Sequence, residues 1–491
     1  MPNHHPSCFD ALKAAASRWL YGRCDAEAIP YTESWKGRGK KGDADLILFW
    51  KTPAILQELV RICYAHHIVM QPRGGGTSLN DSVRPPTDSE DPRPKVVLVS
   101  LYKKIELAAE DNTVIVGAGV TPHELNLFLA PHGLQVKGCD TGAKESSQFG
   151  AMFTTNTGGS TAEVEGSLLD NTLGMACITA DGRMLRHMYG VQKDNSSMNL
   201  TKCIGYLHFP VVLVTDLLLK VAPLTSQRES AMIGLETLDD ALYIRQFLLT
   251  YLETTLISCE LMEQDALAPV FEHIPTIRNP LDRIYPYTLY LQTASALPAD
   301  IFNLTSATEQ LLVRLFEQGV TIAEKAMVMA MDETQKANLH AIRHHITIAA
   351  GIAANHAHAV VKGFDLSIPL SHFKTTLLEL DRLRHSLLPN SQIRRFGHFL
   401  GGRLHNNIQL PADTPASVIE AYVLAVDRII EAVGGSVASE HGAGRDLVTR
   451  LQHIRPDIYQ QMLAAKQFWD PGFLIAPGVG VAVPESLLHA T

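Results

Sequence analysis

His398, His405, Glu440 and His441 stand in two short segments, Gly397-His398-Phe399-Leu400-Gly401-Gly402-Arg403-Leu404-His405-Asn406-Asn407 and Ser439-Glu440-His441-Gly442-Ala443-Gly444. Two imidazoles and a carboxylate can hold a divalent metal, Zn or Mn, with a coordination position left open. A further histidine beside them can move a proton. That chemistry suits oxidation or hydrolysis of a small polar molecule. Each histidine taken singly is explained as well by a structural hydrogen bond, since the chain has 21 of them. The four residues as a set point to a metal site, with His398, His405 and Glu440 as ligands and His441 as base.

The elements around these residues must bring them together. His398 and His405 are seven positions apart, which would set them on opposite faces of one straight strand. Gly401-Gly402 between them can turn or bulge the chain and bring both rings to one point.

Far upstream, Pro72-Arg73-Gly74-Gly75-Gly76-Thr77-Ser78-Leu79 carries three consecutive glycines and two hydroxyls. Glycine permits positive φ and a close approach of backbone amides to a ligand, and such amide nests hold pyrophosphate. A flexible turn has the same composition, and the residues by themselves leave both readings open. The segment has neither the Lys of a P-loop nor G-x-G-x-x-G spacing. Thr154 to Ser160, with Thr155, Asn156, Gly158 and Gly159, has similar chemistry.

Strands are expected at Ala44 to Trp50, Ile68 to Met70, Lys95 to Leu101 and Thr113 to Val116. Helices are expected at Pro53 to Cys63 and at Pro122 to His132, the latter ended by Gly133. Ser147 to Gly159 reads as irregular. Met175 to Thr179 and Met184 to His187 flank Asp181-Gly182, a hairpin signal. Val211 to Val221 closes this half. Beyond Pro223 the texture changes to helices at Asp239 to Thr250, Thr308 to Glu317, Thr334 to Ile348 and Leu370 to His385. Strands at Tyr287 to Gln292 and Ala359 to Ile368 are interleaved, an α+β pattern.

The bulk numbers bound the class. A chain of 491 residues implies at least two packed units, and 46% hydrophobic with 19% charged residues is ordinary for a soluble protein. The net charge is -9, and the longest basic cluster, Lys36 to Lys41, reads as a solvated loop, so nucleic acid is not an expected partner. Seven scattered cysteines without C-x-x-C spacing argue for a reducing compartment and against an iron–sulfur module. No secretory signal is seen at Met1 to Leu20, and no apolar run reaches the roughly 18 residues of a membrane span. The expected location is cytoplasmic, with peripheral attachment to an inner membrane and homodimer formation both left open.

The glycine segments, together with Val114-Ile115-Val116-Gly117-Ala118-Gly119-Val120, Leu125-Asn126, His132-Gly133-Leu134 and Thr179-Ala180-Asp181-Gly182, resemble in order and spacing the FAD-binding domain of the vanillyl-alcohol oxidase/p-cresol methylhydroxylase (PCMH) family. The resemblance implies FAD, held by Pro72, Arg73, Gly74, Gly75, Gly76, Thr77, Ser78, Leu79, Thr155, Asn156, Gly158 and Gly159. The histidine segments resemble "G-H-x-G-D-G-N-L-H-x-N" and "G-E-H-G-x-G" of that family's D-2-hydroxy-acid dehydrogenases, which act on D-lactate, D-2-hydroxyglutarate or glycolate. Leu339 to Thr347 resembles their carboxylate-binding helix. Arg343, Thr347, Lys362 and Asn407 are thereby implied in substrate binding. Gly402 matches, but the pattern's G-D-G-N reads Leu400-Gly401-Gly402-Arg403 here, so its Asp and Asn are missing, and the match also departs at Gly205 to Pro210 and Ala476 to Val479.

What this implies is an α+β fold: a two-part PCMH-type FAD-binding domain over residues 1–223, an α+β cap over 224–435 and a returning C-terminal segment over 436–491. The active site would lie where cap and FAD domain meet. The implied activity is FAD-dependent oxidation of a D-2-hydroxy acid to the 2-oxo acid, with a metal gripping the substrate. Quinone, cytochrome, electron-transfer flavoprotein and oxygen all stay open as electron acceptor. The alternatives are a flavin-binding subunit with little turnover of its own, a divergent flavin oxidase of another alcohol, and a metal-dependent hydrolase with an empty nucleotide fold. The paired glycine segments disfavour the last.

Overall fold

A computed structural model describes residues 6–34, 40–252, 255–317 and 322–488. Most of the basic cluster, residues 36–39, lies outside them; Lys40 lies within and pairs with Asp446 at 3.0 Å. The chain forms two compact units. One comprises Met1–Ala162, Gly166–Ala222 and Glu440–Thr491; the other comprises Glu163–Glu165 and Pro223–Ser439. Among the described residues no helix is long and apolar enough to cross a membrane.

The first unit holds two main sheets. In the four-stranded sheet, Leu46–Trp50, Lys95–Ser100 and Val69–Arg73 run parallel, and Arg18–Tyr21 pairs antiparallel with Leu46–Trp50. Helix Pro53–Ala65 crosses between the first two parallel strands in sequence. Thr52 caps it by accepting the Ile55 amide, and Leu56, Leu59, Val60 and Cys63 bury one stripe of it. The five-stranded sheet is antiparallel, in the order Ile105–Ala108, Thr113–Gly117, Leu213–Lys220, Thr172–Ile178, Met184–His187. Asp181-Gly182 turns its last hairpin, with Gly182 at φ 80°.

One expectation fails here. Ser147 to Gly159 is not irregular throughout: Phe149–Thr154 is a helix with Phe149, Met152 and Phe153 buried. Its glycine is what packing demands, since a Cβ at Gly150 would meet the Ala118 Cβ at 2.7 Å. The C-terminal segment returns to the parallel sheet. Met70 donates its amide to Leu474 O at 2.6 Å and accepts from the Ala476 amide at 2.8 Å. Asp470, fully buried, receives the Leu474 and Ile475 amides and pairs with buried Lys466 at 3.0 Å.

The second unit is built on an eight-stranded antiparallel sheet. Its order is Met327–Met329, Gln227–Leu235, Tyr287–Ser295, Leu256–Glu263, Gln392–His398, Arg403–Pro411, Ala359–Lys362, and Asp365–Ser367 pairs with Arg403–Pro411 beside the last strand. Helices Leu238–Leu252, Leu304–Glu317, Phe373–Leu387 and Ala416–Ala432 accompany it. The helix expected over Thr334 to Ile348 is two helices, Glu333–His344 and Ile346–His356. His345 breaks it, with its ring on Ala341 O at 2.8 Å and the three β-branched residues Ile346, Thr347 and Ile348 crowding the next turn. The strand expected over Ala359 to Ile368 is likewise split, at Gly363-Phe364.

A buried network ties the sheet to helix Phe373–Leu387. Arg395, 3% exposed, donates Nε to Asn406 Oδ1 at 2.8 Å and its two Nη groups to Asp381 at 3.2 and 2.6 Å. Glu263 lies 3.7 Å from the same guanidinium. Burial pushes the Glu263 carboxyl up to about 7, against the pull of Arg395 and with added repulsion from Asp381 and Asp265. The folded chain therefore keeps this proton where an unfolded chain, titrating near 4.5, has lost it. Across that interval the contribution of Glu263 to stability falls as pH rises. Glu263→Gln should accordingly lose less stability than the wild type between about pH 5 and about pH 8 in urea unfolding; parallel pH profiles for the two proteins would contradict this.

Candidate active site

The two histidines are carried by a hairpin. Gln392–His398 and Arg403–Pro411 pair antiparallel with Phe396 opposite His405. The turn Phe399 to Gly402 lets both imidazoles leave the same face of the sheet, 6.1 Å apart between ring centroids and inclined by 73°. Gly402 is required there: its φ is 73°, and a Cβ would meet Ile368 O at 2.2 Å. One ligand atom from each of His398, His405 and Glu440 lies within 4.8 Å of the others. Glu440 is peptide-bonded to Ser439, whose amide donates to Asp365 O at 3.1 Å, and Asp365 is the register partner of His405. The sheet thus sets the backbone that leads to Glu440, the one carboxylate of the candidate set. Two nitrogens and one oxygen form a donor set suited to Zn or Mn.

His398 is oriented by Glu260, its partner on the neighbouring strand Leu256–Glu263. His398 Nδ1 stands 2.5 Å from one Glu260 oxygen, and Arg343 Nε donates to the other at 2.7 Å. Glu260 is 1% exposed. Burial by itself would raise its pKa, but Arg343 and His398 together hold the carboxyl well below the usual carboxylate range. With Nδ1 engaged by Glu260, Nε2 is the ring nitrogen that a metal would use.

The residues implied in substrate binding are only partly gathered. Arg343 reaches the histidine site through Glu260 and lies over the Phe396 ring at 4.8 Å. Asn407 lies two residues beyond His405 on the same strand and therefore on the same face. Lys362 ends its strand in register with Ile408, beside Asn407 rather than opposite it. Thr347 is exposed and belongs to the helix after the break at His345. His441 is anchored through its backbone: its carbonyl accepts from the Asn80 side chain, and the Arg445 amide donates to Asn80 O at 3.2 Å. Asn80 thereby links the glycine-rich segment to the residue after Glu440.

In the first unit, Pro72, Arg73 and Gly74 line a cavity together with Trp50, Ser100 and Gln148. The loop reaches it only because it is glycine: a Cβ at Gly75 would meet Ser146 O at 1.8 Å. The Arg73 guanidinium braces the loop, donating to Glu33 O and Val83 O at 3.0 and 2.9 Å, and Thr77 hydrogen-bonds Ser147 at 3.0 Å. Ser78 bonds Asn80 at 2.6 Å, and Leu79 is half-buried beside it. Thr155, Asn156, Gly158 and Gly159 follow the C-terminus of helix Phe149–Thr154, where Asn156 takes φ 48° and a Cβ at Gly159 would meet Asp140 O at 1.9 Å. They do not line the cavity itself. Gln148 Oε1 and Asn156 Oδ1 are buried acceptors without a hydrogen bond among the described residues. Glycine-permitted close approaches and orphaned buried acceptors are what a large polar cofactor such as FAD would use, so the residues present fit it.

Sequence reasoning missed Glu260, Gln148 and Asn80. Glu260 had a signal: it is the sole charge inside the apolar run Leu256-Ile257-Ser258-Cys259-Glu260-Leu261-Met262, where a carboxylate needs a buried partner. Glu260→Gln should weaken Zn affinity about 10- to 100-fold, measured by chelator competition; an unchanged dissociation constant would remove Glu260 from this role.

Comparison with known proteins gives two family matches, the FAD binding domain over residues 44–187 and the C-terminal domain of FAD linked oxidases over 224–479. The chain is 27% identical over 444 residues to the mitochondrial D-2-hydroxyglutarate dehydrogenase of Arabidopsis thaliana, covering 89% of this chain and 75% of that protein. It is 24% identical over 446 residues to that of Rattus norvegicus, covering 90% and 78%. The fold is similar to that of p-cresol methylhydroxylase, with a TM-score of 0.72 at 14% identity over 98% of each chain.

Proposed function

The chain belongs to the family of FAD-linked oxidases and is an FAD-dependent oxidoreductase, and on that premise we propose that it oxidises a D-2-hydroxy acid, of the D-2-hydroxyglutarate and D-lactate class, to the 2-oxo acid with help from a divalent metal. The observation that carries this reading is the trio His398, His405 and Glu440, with ligand atoms all within 4.8 Å of one another, backed by the buried Glu260 and its half-buried partner Arg343. The relatives named for D-2-hydroxyglutarate support the substrate class.

The residues divide the work. His398, His405 and Glu440 would hold a Zn or Mn ion, which supplies Lewis acidity to the substrate hydroxyl and carboxylate. FAD, when bound, supplies the hydride acceptor. His441, next to Glu440 in the chain, takes the hydroxyl proton as C2 is oxidised. Arg343 has its Nε committed to Glu260, so a substrate carboxylate would meet its Nη edge, with the side-chain amide of Asn407 as a further donor. Lys362 and Thr347 are the secondary candidates for a second carboxylate. Gln148 and the backbone of Gly74 to Gly76 would face the cofactor. The reading carries no choice among electron acceptors, and it keeps the cytoplasm as the expected location.

The test is anaerobic spectroscopy of the purified protein with D-lactate, D-2-hydroxyglutarate and glycolate added in turn. One of these acids should bleach the flavin bands. His441→Asn should keep the flavin and slow its reduction by about 10²- to 10⁴-fold. Wild-type rates in that variant would remove His441 as base, and flavin that none of the acids bleaches would remove the substrate class.

A further inference from the structure

The turn between the histidine strands is held by a residue from far upstream. Glu163 lies in the excursion Glu163–Glu165 that belongs to the second unit. Its side chain is 7% exposed. Oε1 accepts the Gly401 amide at 2.7 Å and Arg403 Nε at 3.2 Å. Oε2 is buried and takes no hydrogen bond among the described residues. One carboxylate thus fixes Gly401 and Arg403, the two positions at which the G-D-G-N pattern has its Asp and Asn.

Position 401 is where that pattern carries its Asp. A Cβ built on Gly401 would stand 2.6 Å from Glu163 Oε1 and 3.5 Å from its Cδ, with no other atom beyond its chain neighbours within 4 Å. The Glu163 carboxylate therefore fills the space a side chain at 401 would take. Gly401 is also outside the left-handed region, unlike Gly402, so its backbone accepts an L-residue. Were Glu163 cut back, an Asp at 401 would have both the room and the conformation.

We propose that Glu163 supplies from outside the hairpin the carboxylate that this turn lacks at position 401, and that it is in this way a positioning residue for His398 and His405. The proposal rests on the metal reading above. Arg403 belongs to the same exchange: a guanidinium stands where the pattern has Asn, and it pairs with the relocated carboxylate. Glu163 and Gly401 are then interchangeable only as a pair. Either change made singly leaves the turn with no carboxylate, or with two forced into one space, which like charges resist.

The experiment is a double-mutant cycle on the full chain, comparing wild type, Glu163→Ala, Gly401→Asp and Glu163→Ala/Gly401→Asp. Zn affinity is read by chelator competition and flavin retention by absorbance. Each single variant should lose about tenfold or more in Zn affinity with flavin retained, and the double variant should return to within about threefold of wild type. Glu163→Ala with wild-type affinity, or a double variant as weak as the two losses combined, overturns the proposal. A wild type that binds no Zn overturns the metal reading instead, and the same cycle is then scored on urea unfolding midpoints, where additive losses overturn this proposal. Should Glu163→Ala not fold, recovery of a folded protein in the double variant supports the proposal, and failure of both variants overturns it.

Discussion

The bond between Glu260 and His398 is the interaction on which the candidate site depends. A carboxylate shut away from water is costly unless cationic or donor groups surround it. Glu260 obtains two, Arg343 from a helix and His398 from the adjacent strand, and both its oxygens are used. The consequence reaches past stability. A hydrogen-bonded Nδ1 fixes the orientation of the His398 ring, and the hairpin register then fixes where His405 stands relative to it. Three separate elements are locked to one buried charge, and the placing of the His398 and His405 rings is what results.

The first unit relies on a different constraint, the absence of side chains. Gly75 and Gly159 each run so near another backbone that a Cβ would fall within 2 Å of a carbonyl oxygen. The glycine segments are therefore tightly packed as well as flexible in principle. Arg73, which the family pattern assigns to the cofactor, donates Nη1 to two backbone carbonyls of its own surroundings. What the Arg73 side chain does in this structure is keep the loop in shape.

Much of this was legible in the sequence, for reasons that differ by element. Strands with apolar runs, the Asp181-Gly182 hairpin and the helix that starts at Pro122 obey local rules, and local rules suffice for them. The need for a bend at Gly401-Gly402 follows from the seven-residue spacing of the histidines. What local rules miss is set by tertiary partners. The helix Phe149–Thr154 contains a glycine that lowers its propensity, and only its contact with Ala118 shows why glycine is there. The break at His345 depends on a ring turning back onto the chain. Glu163 lies more than two hundred residues from the turn it holds, and no spacing rule connects them.

The return of the C-terminal segment to Met70 has a consequence for biosynthesis. Val69–Arg73 is the edge strand of its sheet, and its Met70 backbone groups are satisfied by Leu474 and Ala476. A ribosome delivers that edge early, and the backbone of residues 474–476 that covers it only after the whole inserted second unit has emerged. Throughout that interval the nascent chain displays an apolar strand with an open hydrogen-bonding side, the kind of surface that recruits other strands. Completion of the first unit thus waits on the synthesis of residues 474–476, and until then the Val69–Arg73 edge stays open to other strands.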